Sequence, residues 1–538
     1  MNAPDPVPVQ PEAELWDVVV VGAGMGGGTL GYELARRGRR VLFLEKGKLL
    51  HRDPTTDYSP IGVGPKRAMP EERLRRGLWP MPLSGDTSFG PVEFFAPLGC
   101  GTGGSTSIYA AALERFHPLD FRPRANFPGA DDTTLPETWP ISYDELAPYY
   151  QQAEVLYRVR GTPDPLHPAG DTGLLAPPPT NPRDTALLES FQSAGLHPYR
   201  LHSGRRYVPD CNDCPAGACP RDCKADAGWV CVLPALDRFG AALLPECEVV
   251  ALESEGPSVR ALQCRWQGRE LRIRAKFVVL AAGAFMTPVL LLNSRSRAWP
   301  NGIANGSGLV GRNLMLHAGD FVAVRPQHRR ASLGSCKTIA MNDFYVAGGR
   351  KLGTFQSVGV DLSPWRIRSF LGDQWERAPA FWHRFVRPLM NPVSHASMLY
   401  FNNAAIFASI VEDLPYLDNR VLPDSSAPSG MRFNYCYTDE LRERVRWFRR
   451  HLAASLRPIR TFVLSSDNNI NYGHVCGTCR FGDDPATSVL DRNNRAHDVD
   501  NLYVVDASFF PSSSGTNPSL TISANALRVA GEIDRRFA

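Results

Sequence analysis

Long hydrophobic runs are absent from this sequence of 538 residues, since no window of about 18 apolar residues is uninterrupted. The first residues also lack the basic and apolar regions of a secretory signal. Lysine and arginine (59) nearly balance aspartate and glutamate (55), and no run of five or six like charges occurs. We therefore expect a cytoplasmic protein, and nothing in the charge pattern favours a membrane or a nucleic acid as its partner.

Cysteine is also scarce, with 12 residues in the chain, which excludes a scaffold held together by disulfides. The composition, 43% hydrophobic and 21% charged, is that of an ordinary globular protein. A chain of this length predicts two or three domains, with room for a cofactor in a cleft between them.

The most informative segment is Asp17–Gly47, which opens with the letters DVVVVGAGMGGG. It predicts a buried strand, a glycine-rich turn, a helix and a second strand. Gly22 permits the tight turn, Gly24 lets the backbone approach a pyrophosphate, and Gly27 lets the helix pack closely on the sheet. Glu45 follows the second strand, where its carboxylate can accept hydrogen bonds from a ribose. The segment predicts a dinucleotide-binding βαβ unit.

Two later segments favour FAD over NAD as the dinucleotide. Phe277–Ala284 predicts a buried strand that ends in small residues, among them Ala282, beside which a dinucleotide can pass. Asn501–Ser508 predicts a strand that delivers Asp506 at its carboxyl end, where ligands collect in open α/β sheets. We therefore expect an α/β protein in which distant segments form one nucleotide-binding domain, as in flavoproteins.

Four motifs of the sequence resemble those of the glucose-methanol-choline (GMC) oxidoreductases. They are the opening glycine motif, Leu98–Phe116 (LGCGTGGSTSIYAAALERF), Gly473–Gly482 (GHVCGTCRFG) and Val499–Ile533. The resemblance spans most of the chain and points to the cholesterol-oxidase-like or sugar-dehydrogenase-like branch. It implies a Rossmann-type FAD-binding domain and a discontinuous substrate domain, or cap, made of an antiparallel sheet with helices.

The resemblance also implies roles for individual residues. Gly103, Gly104 and Ser105 fall where the family runs a turn beside the flavin ring, and Asp506 falls where a carboxylate meets the linker of the cofactor. The residues expected to bind the cofactor are therefore Gly22, Gly24, Gly27, Glu45, Gly103, Gly104, Ser105, Ala282, Asp506, Asn517 and Pro518.

The two expected catalytic residues are His474 and Asn517, which fall on the active-site positions of the family. Oxidation of an alcohol removes the hydroxyl proton while a hydride leaves the same carbon for the flavin, so the reaction needs a base near both. A neutral imidazole can accept that proton, and a carboxamide can hold the same oxygen without competing for it. Two alternatives for His474 remain open: a structural histidine, or a metal ligand together with Cys476 and Cys479.

A cluster of cysteines is the main ambiguity. Cys211, Cys214, Cys219 and Cys223 follow the spacing C-x2-C-x4-C-x3-C, which is close to a ferredoxin-type run but distinct from it. Some multi-subunit GMC sugar dehydrogenases carry an iron-sulfur cluster in such a segment, and other family members have a similar segment without an established metal. Iron-sulfur, zinc, and reduced thiols or a disulfide are therefore all possible interpretations.

The landmarks divide the chain into five segments. We expect 14–125, 205–320 with the cysteines, and 464–538 to form the FAD-binding domain, 126–204 to form a cap element, and 321–463 to form the substrate domain. The cap element predicts a helix from Ser142 to about Val159 that begins with a capping box of Ser142 and Glu145. Trp365–Pro392 mixes aromatic residues and arginines, which is typical of a substrate-gating lid, a membrane-contacting segment or ordinary core.

The sequence therefore predicts an FAD-dependent oxidation of a CH–OH group to a carbonyl, with a sugar, a sterol or an aryl alcohol as the substrate. Oxygen or another redox partner would then reoxidise the flavin, and the sequence does not choose between them. One rival is the catalytic subunit of a larger dehydrogenase with an iron-sulfur relay, and another is a GMC-like lyase without net redox chemistry. A binding protein with a vestigial nucleotide site is disfavoured because His474 and Asn517 are both in place.

Overall fold

The computed structural model of the chain describes residues 7–59, 69–168, 173–206, 208, 214, 217–328, 335–361, 364, 367–368, 390–401, 403–457, 459–464 and 469–537. Most of the segment Trp365–Pro392, including residues 369–389, therefore lies outside the described residues. No helix in the described part is long and apolar enough to cross a membrane.

Strands and helices are numbered in chain order. The strands are β1 (Leu15–Val21), β2 (Val41–Leu44), β3 (Leu83–Thr87), β4 (Gly90–Phe94), β5 (Tyr199–Arg200), β6 (Ala242–Leu244), β7 (Cys247–Glu255), β8 (Ser258–Trp266), β9 (Arg269–Leu280), β10 (Met315–Ala318), β11 (Phe321–Arg325), β12 (Ile339–Met341), β13 (Val346–Ala347), β14 (Arg350–Lys351), β15 (Gly353–Asp361), β16 (Ala405–Val411), β17 (Arg420–Pro423), β18 (Met431–Tyr435), β19 (Arg460–Val463), β20 (Ile470–Cys476) and β21 (Leu502–Val504). The helices are α1 (Met25–Arg36), α2 (Pro70–Arg75), α3 (Pro123–Asn126), α4 (Tyr143–Leu156), α5 (Pro182–Ser193), α6 (Leu233–Phe239), α7 (Met286–Asn293), α8 (Met390–Phe401), α9 (Asp439–Ser455) and α10 (Ser519–Arg535).

The nucleotide-binding half is a parallel sheet with helices packed on it. Its strands run in the order β6, β2, β1, β9, β21, and each adjacent pair is parallel. The central strand β1 reads LWDVVVV, and its four valines are buried, as expected of a strand covered on both faces. The other end of β9 pairs antiparallel with β8, which pairs antiparallel with β7. The predicted strands at residues 277–284 and 501–508 thus both belong to this sheet.

The second large sheet is antiparallel and supplies the other wall of the site. Its strands run β19, β11, β16, β15, β12, β5, and β10 joins it through β16 and pairs with β20. Most of these strands come from the expected substrate domain, but β5, β10 and β20 come from the flanking segments. The predicted α/β class, with a Rossmann-type unit and an antiparallel substrate sheet, is confirmed. The domain bounds stay a prediction.

Capping residues mark the start of two helices, α4 and α9. In α4, Ser142 and Glu145 form both hydrogen bonds of the capping box, since Glu145 N–H donates to Ser142 Oγ (3.2 Å) and Ser142 N–H donates to Glu145 Oε2 (2.8 Å). Helix α9 begins at Asp439, directly after Thr438, whose hydroxyl oxygen accepts the N–H of Leu441 and so caps the helix. A hydrophobic core that includes Phe344, Phe355 and Phe407 lies between the antiparallel sheet and α9.

Candidate active site

One large cavity, of about 1580 Å³, lies between the two sheets. Its walls include the carboxyl ends of β1, β2 and β9 on one side and residues of β10, β15, β16 and β20 on the other. Pockets for drug-sized ligands are typically about 300–1000 Å³, so this cavity has room for a dinucleotide and a substrate together.

Most of the residues singled out in the sequence meet at this cavity. Those that line it are Gly22, Gly24, Glu45, Gly104, Ser105, Ala282, Asp506, His474, Asn517 and Pro518. Gly27 and Gly103 lie behind the lining. The Gly103 N–H donates to the Ala23 carbonyl (2.8 Å), so it ties the second glycine turn to the first.

The glycines are needed because the main chain passes at close range. Gly22 has a φ of +97°, and a Cβ there would lie 2.4 Å from the Ala281 carbonyl oxygen. A Cβ on Gly27 would lie 2.1 Å from the Gly22 carbonyl oxygen, so this glycine allows α1 to pack on the sheet. A Cβ on Gly104 would lie 2.8 Å from the Gly24 Cα. The two glycine turns therefore touch through backbone atoms.

The Glu45 carboxylate binds three loops in addition to facing the cavity. Its Oε2 accepts the Ala23 N–H (2.9 Å), and its Oε1 accepts the N–H groups of Gly47 (2.8 Å) and Gly101 (3.0 Å). Each carboxylate oxygen has two lone pairs, so acceptor capacity remains for a ligand hydroxyl. Glu45 thus combines a loop-anchoring role with the position expected of a ribose acceptor.

Asp506 follows β21 and is held firmly. Its Oδ2 accepts the Thr287 hydroxyl (2.5 Å) and the Gly283 N–H (3.0 Å), and its Oδ1 accepts both the N–H and the hydroxyl of Ser508. Burial raises the pKa of this carboxyl above its ordinary value. The next helix, α10, starts with Ser519 at the cavity, so the positive end of its dipole also faces the ligand space.

His474 lies on a bulged part of β20. Met315 of β10 is opposite Cys476, but His317 is opposite Asn471 rather than His474, so four residues of β20 face one residue of β10. Bulges of this kind turn a side chain out of its regular position and are frequent beside active sites. The His474 ring lines the cavity, and no described residue makes a hydrogen bond to its Nε2.

The other ring nitrogen of His474 contacts a second histidine. His474 Nδ1 lies 2.8 Å from His317 Nδ1, and the two rings are perpendicular. Burial lowers the pKa of His474 well below its ordinary value, with smaller contributions from His317 and Lys337. Burial also lowers the pKa of His317, to about 4. Both imidazoles are therefore neutral at neutral pH.

Asn517 is buried just before α10, and its amide is oriented by Gln356 of β15. Gln356 Nε2 donates to Asn517 Oδ1 (2.7 Å), so the Asn517 amide presents its own N–H donors elsewhere. The Gln356 Oε1 is buried without a hydrogen-bond partner among the described residues, although Gln356 lines the cavity. Such an atom carries a desolvation cost that a ligand donor would remove.

The sequence matches known protein families over most of its length. The family model GMC oxidoreductase matches in two parts, residues 87–319 and 415–526, and a model of the NAD(P)-binding Rossmann-like domain matches residues 20–50. Paromamine 6'-oxidase of Streptomyces fradiae is 30% identical, over 97% of this chain and 92% of that protein. The chain belongs to the GMC oxidoreductase family.

Two further matches of this GMC oxidoreductase are informative. 2-methyl-1,2-propanediol dehydrogenase of Mycolicibacterium austroafricanum is 27% identical, over 98% of this chain and 96% of that protein. A formate oxidase structure from Aspergillus oryzae RIB40, determined to study FAD modification, has a TM-score of 0.65 at 16% identity and covers 98% of this chain and 99% of that one. The latter shows the same fold. Oxidases and dehydrogenases both occur among the relatives.

The GMC fold and the residues at the cavity support FAD as the cofactor. Gly22, Gly24 and Gly104 line the cavity with main chain, and Glu45 faces the same space with acceptor capacity. The amino ends of α1 and α10 both line the cavity, which suits a pyrophosphate or another electron-rich group. These residues fit a dinucleotide.

Of the cysteine-rich segment of this GMC oxidoreductase, the described Cys214, Cys219 and Cys223 are not among the residues that line the cavity. Cys211 lies outside the described residues. Cys219 Sγ and Cys223 Sγ are 3.0 Å apart, whereas two thiolates bound to one tetrahedral ion at about 2.3 Å lie about 3.8 Å apart. Throughout the described part of the chain, no group of three or more His, Cys, Asp or Glu side chains could hold a metal ion. The iron-sulfur interpretation stays a prediction without support from this geometry.

The metal-ligand alternative for His474 also lacks support. Among the described residues, His474, Cys476 and Cys479 do not form a group that could hold a metal ion.

Three residues at the cavity were missed by sequence reasoning: His317, Gln356 and Lys337. Lys337 is buried, and its Nζ donates to the Ser357 carbonyl (3.1 Å). None of the three belongs to a motif: His317 lies on β10, Gln356 lies on β15, and Lys337 lies just before β12. No signal in a single sequence distinguishes His317 from the other eleven histidines.

Proposed function

We propose that this GMC oxidoreductase binds FAD and oxidises a CH–OH group of a polyhydroxylated small molecule to a carbonyl, with His474 as the base. The observation that carries the proposal is the meeting of His474, Asn517 and the glycine motif at one cavity. Such an oxidation needs an imidazole acceptor and a carboxamide donor beside the substrate. It also needs a dinucleotide-binding cradle on the opposite side of the cavity.

His474 supplies the base. Its Nδ1 is occupied by His317, so a hydroxyl in the cavity meets Nε2. The low pKa of His474 keeps the ring neutral at neutral pH, and Nε2 can then accept the hydroxyl proton as the carbonyl forms. FAD supplies the acceptor for the hydride that leaves the same carbon.

Asn517 orients the reacting oxygen. Its Oδ1 accepts from Gln356, so its Nδ2 group is the part available to donate to the substrate oxygen. A donor at this position stabilises the negative charge that develops as the hydroxyl loses its proton, and it does not compete with His474 for that proton.

The polar lining favours a substrate with more than one hydroxyl group. Gln356 Oε1 is a buried acceptor to which no described residue donates, and Lys337 adds a cationic donor at the same cavity. A second hydroxyl of a sugar or diol satisfies Gln356 Oε1, whereas the ring system of a sterol leaves it buried and unpaired. One of the reported relatives, 2-methyl-1,2-propanediol dehydrogenase, is named for a substrate with two hydroxyl groups.

The test is anaerobic titration of the purified flavoprotein with a panel of sugars, 1,2-diols, aryl alcohols and a sterol. We expect loss of the visible flavin absorbance with a sugar or diol at lower concentrations than with any aryl alcohol or sterol. Preferential bleaching by an aryl alcohol or sterol would overturn the substrate class. Failure of every alcohol to bleach the FAD-loaded protein would overturn the oxidation itself. Oxygen uptake with peroxide release then separates an oxidase from a dehydrogenase.

A further inference from the structure

The second histidine, His317, has hydrogen bonds that determine where its protons lie. His317 Nε2 lies 3.2 Å from the Ser513 carbonyl oxygen and 3.0 Å from the Ser514 carbonyl oxygen. A carbonyl oxygen only accepts hydrogen bonds, so Nε2 must carry a hydrogen. A neutral His317 therefore has its lone pair on Nδ1.

The contact between the two rings then fixes the protonation of His474. His317 Nδ1 and His474 Nδ1 are 2.8 Å apart, and one hydrogen must lie between them. Because the lone pair of neutral His317 is on Nδ1, the hydrogen belongs to His474 Nδ1. The lone pair of His474 is consequently on Nε2, the ring atom that no described residue binds.

We propose that His317 is a positioning residue that holds His474 in the tautomer with its basic atom, Nε2, open to the substrate. The inference rests on the proposed function for its catalytic consequence, but the tautomer itself does not depend on the substrate. Without an acceptor at Nδ1, His474 is free to place its hydrogen on Nε2, where it presents a donor to the substrate hydroxyl instead of a base.

The support behind His317 is a buried ionic cluster of Asp120, Lys351 and Glu412. Lys351 Nζ contacts Asp120 Oδ1 (2.5 Å) and Glu412 Oε2 (2.6 Å). The cluster also holds the chain at Ser514 in place. Ser514 Oγ donates to Asp120 Oδ2 (2.9 Å), and Ser514 N–H donates to Glu412 Oε1 (3.2 Å). The carbonyls that fix the His317 hydrogen are therefore themselves held in place.

Several charged groups face the histidine pair. Lys337 faces His474, and Lys351 and Asp120 face His317, with opposite effects on its pKa. His317 itself contributes to the lowered pKa of His474, so the contact between the two rings favours the neutral His474 that can act as a base.

A direct test is the imidazole ¹⁵N NMR spectrum of the full chain with labelled histidine, with and without FAD, and with the His474 signals assigned by comparison with H474A. We expect His474 to carry its hydrogen on Nδ1 in wild type and in H317Q, and to lose that preference in H317L. Glutamine supplies both a donor for the serine carbonyls and an acceptor for His474, whereas leucine supplies neither. A wild-type spectrum with the hydrogen on Nε2 would overturn the proposal.

Steady-state kinetics provide the second readout, with the alcohol that bleaches the flavin in the anaerobic titration as the substrate. We expect H317L to lower kcat about 100-fold with little change in KM, H317Q to recover most of that loss, and H395Q, on the exposed face of α8, to match wild type. In an H474A background, H317L should cost no further activity, because its effect passes through His474. An equal loss in both backgrounds would show a merely structural role. If the tautomer is found but no alcohol bleaches the flavin, the proposed oxidation fails and the positioning role of His317 stands.

Discussion

On the nucleotide side of the cavity, Gly22, Gly24 and Gly104 bring main-chain atoms into contact, whereas on the substrate side His474 and Asn517 are held by the side chains of other strands. The first wall depends on excluded volume, since a Cβ on Gly22 or Gly104 would collide with backbone atoms. The second wall depends on hydrogen-bond direction, since a residue of equal size without the right donor or acceptor would not orient His474 or Asn517. The two walls should therefore respond oppositely to mutation, one in cofactor binding and the other in turnover.

The largest effect is expected on the substrate side. H474A removes the ring proposed as the base, and we expect kcat/KM for the alcohol that bleaches the flavin to fall about 10³-fold, or about 4 kcal/mol. The FAD content after gel filtration should equal that of wild type, because His474 does not belong to the glycine cradle. H395A, exposed on α8, is the matched control. Loss of FAD together with activity in H474A would contradict this division between the walls.

The opposite pattern is expected for Gly22. G22A places a Cβ 2.4 Å from the Ala281 carbonyl oxygen at a φ of +97°, so we expect lost FAD binding and about 3 kcal/mol less free energy of unfolding. Gly38 is the matched control because its φ is also positive, +82°, but a Cβ there meets no atom within 4 Å. G38A should cost about 1 kcal/mol and keep FAD. Urea unfolding measures the free energy of unfolding, and flavin absorbance measures FAD binding. Equal losses in G22A and G38A would show that backbone strain, rather than the collision with Ala281, causes the effect.

These two walls also differ in how far the sequence predicts them. The first part of the nucleotide wall, from Gly22 to Glu45, lies in one continuous segment, so the spacing of Gly22, Gly24 and Glu45 predicts the strand, turn and helix that the structure has. The capping box of Ser142 and Glu145 is equally local. Such signals work because neighbours in sequence are neighbours in space.

The substrate wall is not local in this sense. His317 and His474 meet across 157 residues through a bulged strand pair, and Gln356 reaches Asn517 across 161 residues. A single sequence records neither the register of β10 and β20 nor the bulge that moves His474 out of it. Family resemblance predicted His474 and Asn517 themselves, but the residues that orient them follow only from tertiary packing.

A smaller effect is expected when the orientation of Asn517 is relaxed. Q356L removes the donor to Asn517 Oδ1 at nearly constant volume, so the amide is free to turn, and we expect kcat/KM to fall about tenfold, or about 1.4 kcal/mol. Q152L on the exposed face of α4 is the matched control. Q356E should be worse than Q356L because a carboxylate accepts from Asn517 Nδ2 and turns its oxygen toward the substrate. Steady-state kinetics with retained FAD content check the order, and activity of Q356E equal to wild type would refute it.

The smallest expected effect is a shift in the pH dependence of kcat/KM. A base works only while unprotonated, and burial lowers the pKa of His474 well below 6.5, so kcat/KM should change less than about twofold between pH 8 and pH 6.5 and fall only at lower pH. An unperturbed imidazole would already be half protonated at pH 6.5. Lys337 contributes to the lowering, so K337M should move the acid limb toward higher pH. An acid limb that moves to lower pH in K337M would show that Lys337 does not face His474 as a cation. In that case the substrate wall owes the low pKa of its base to burial and to His317 alone.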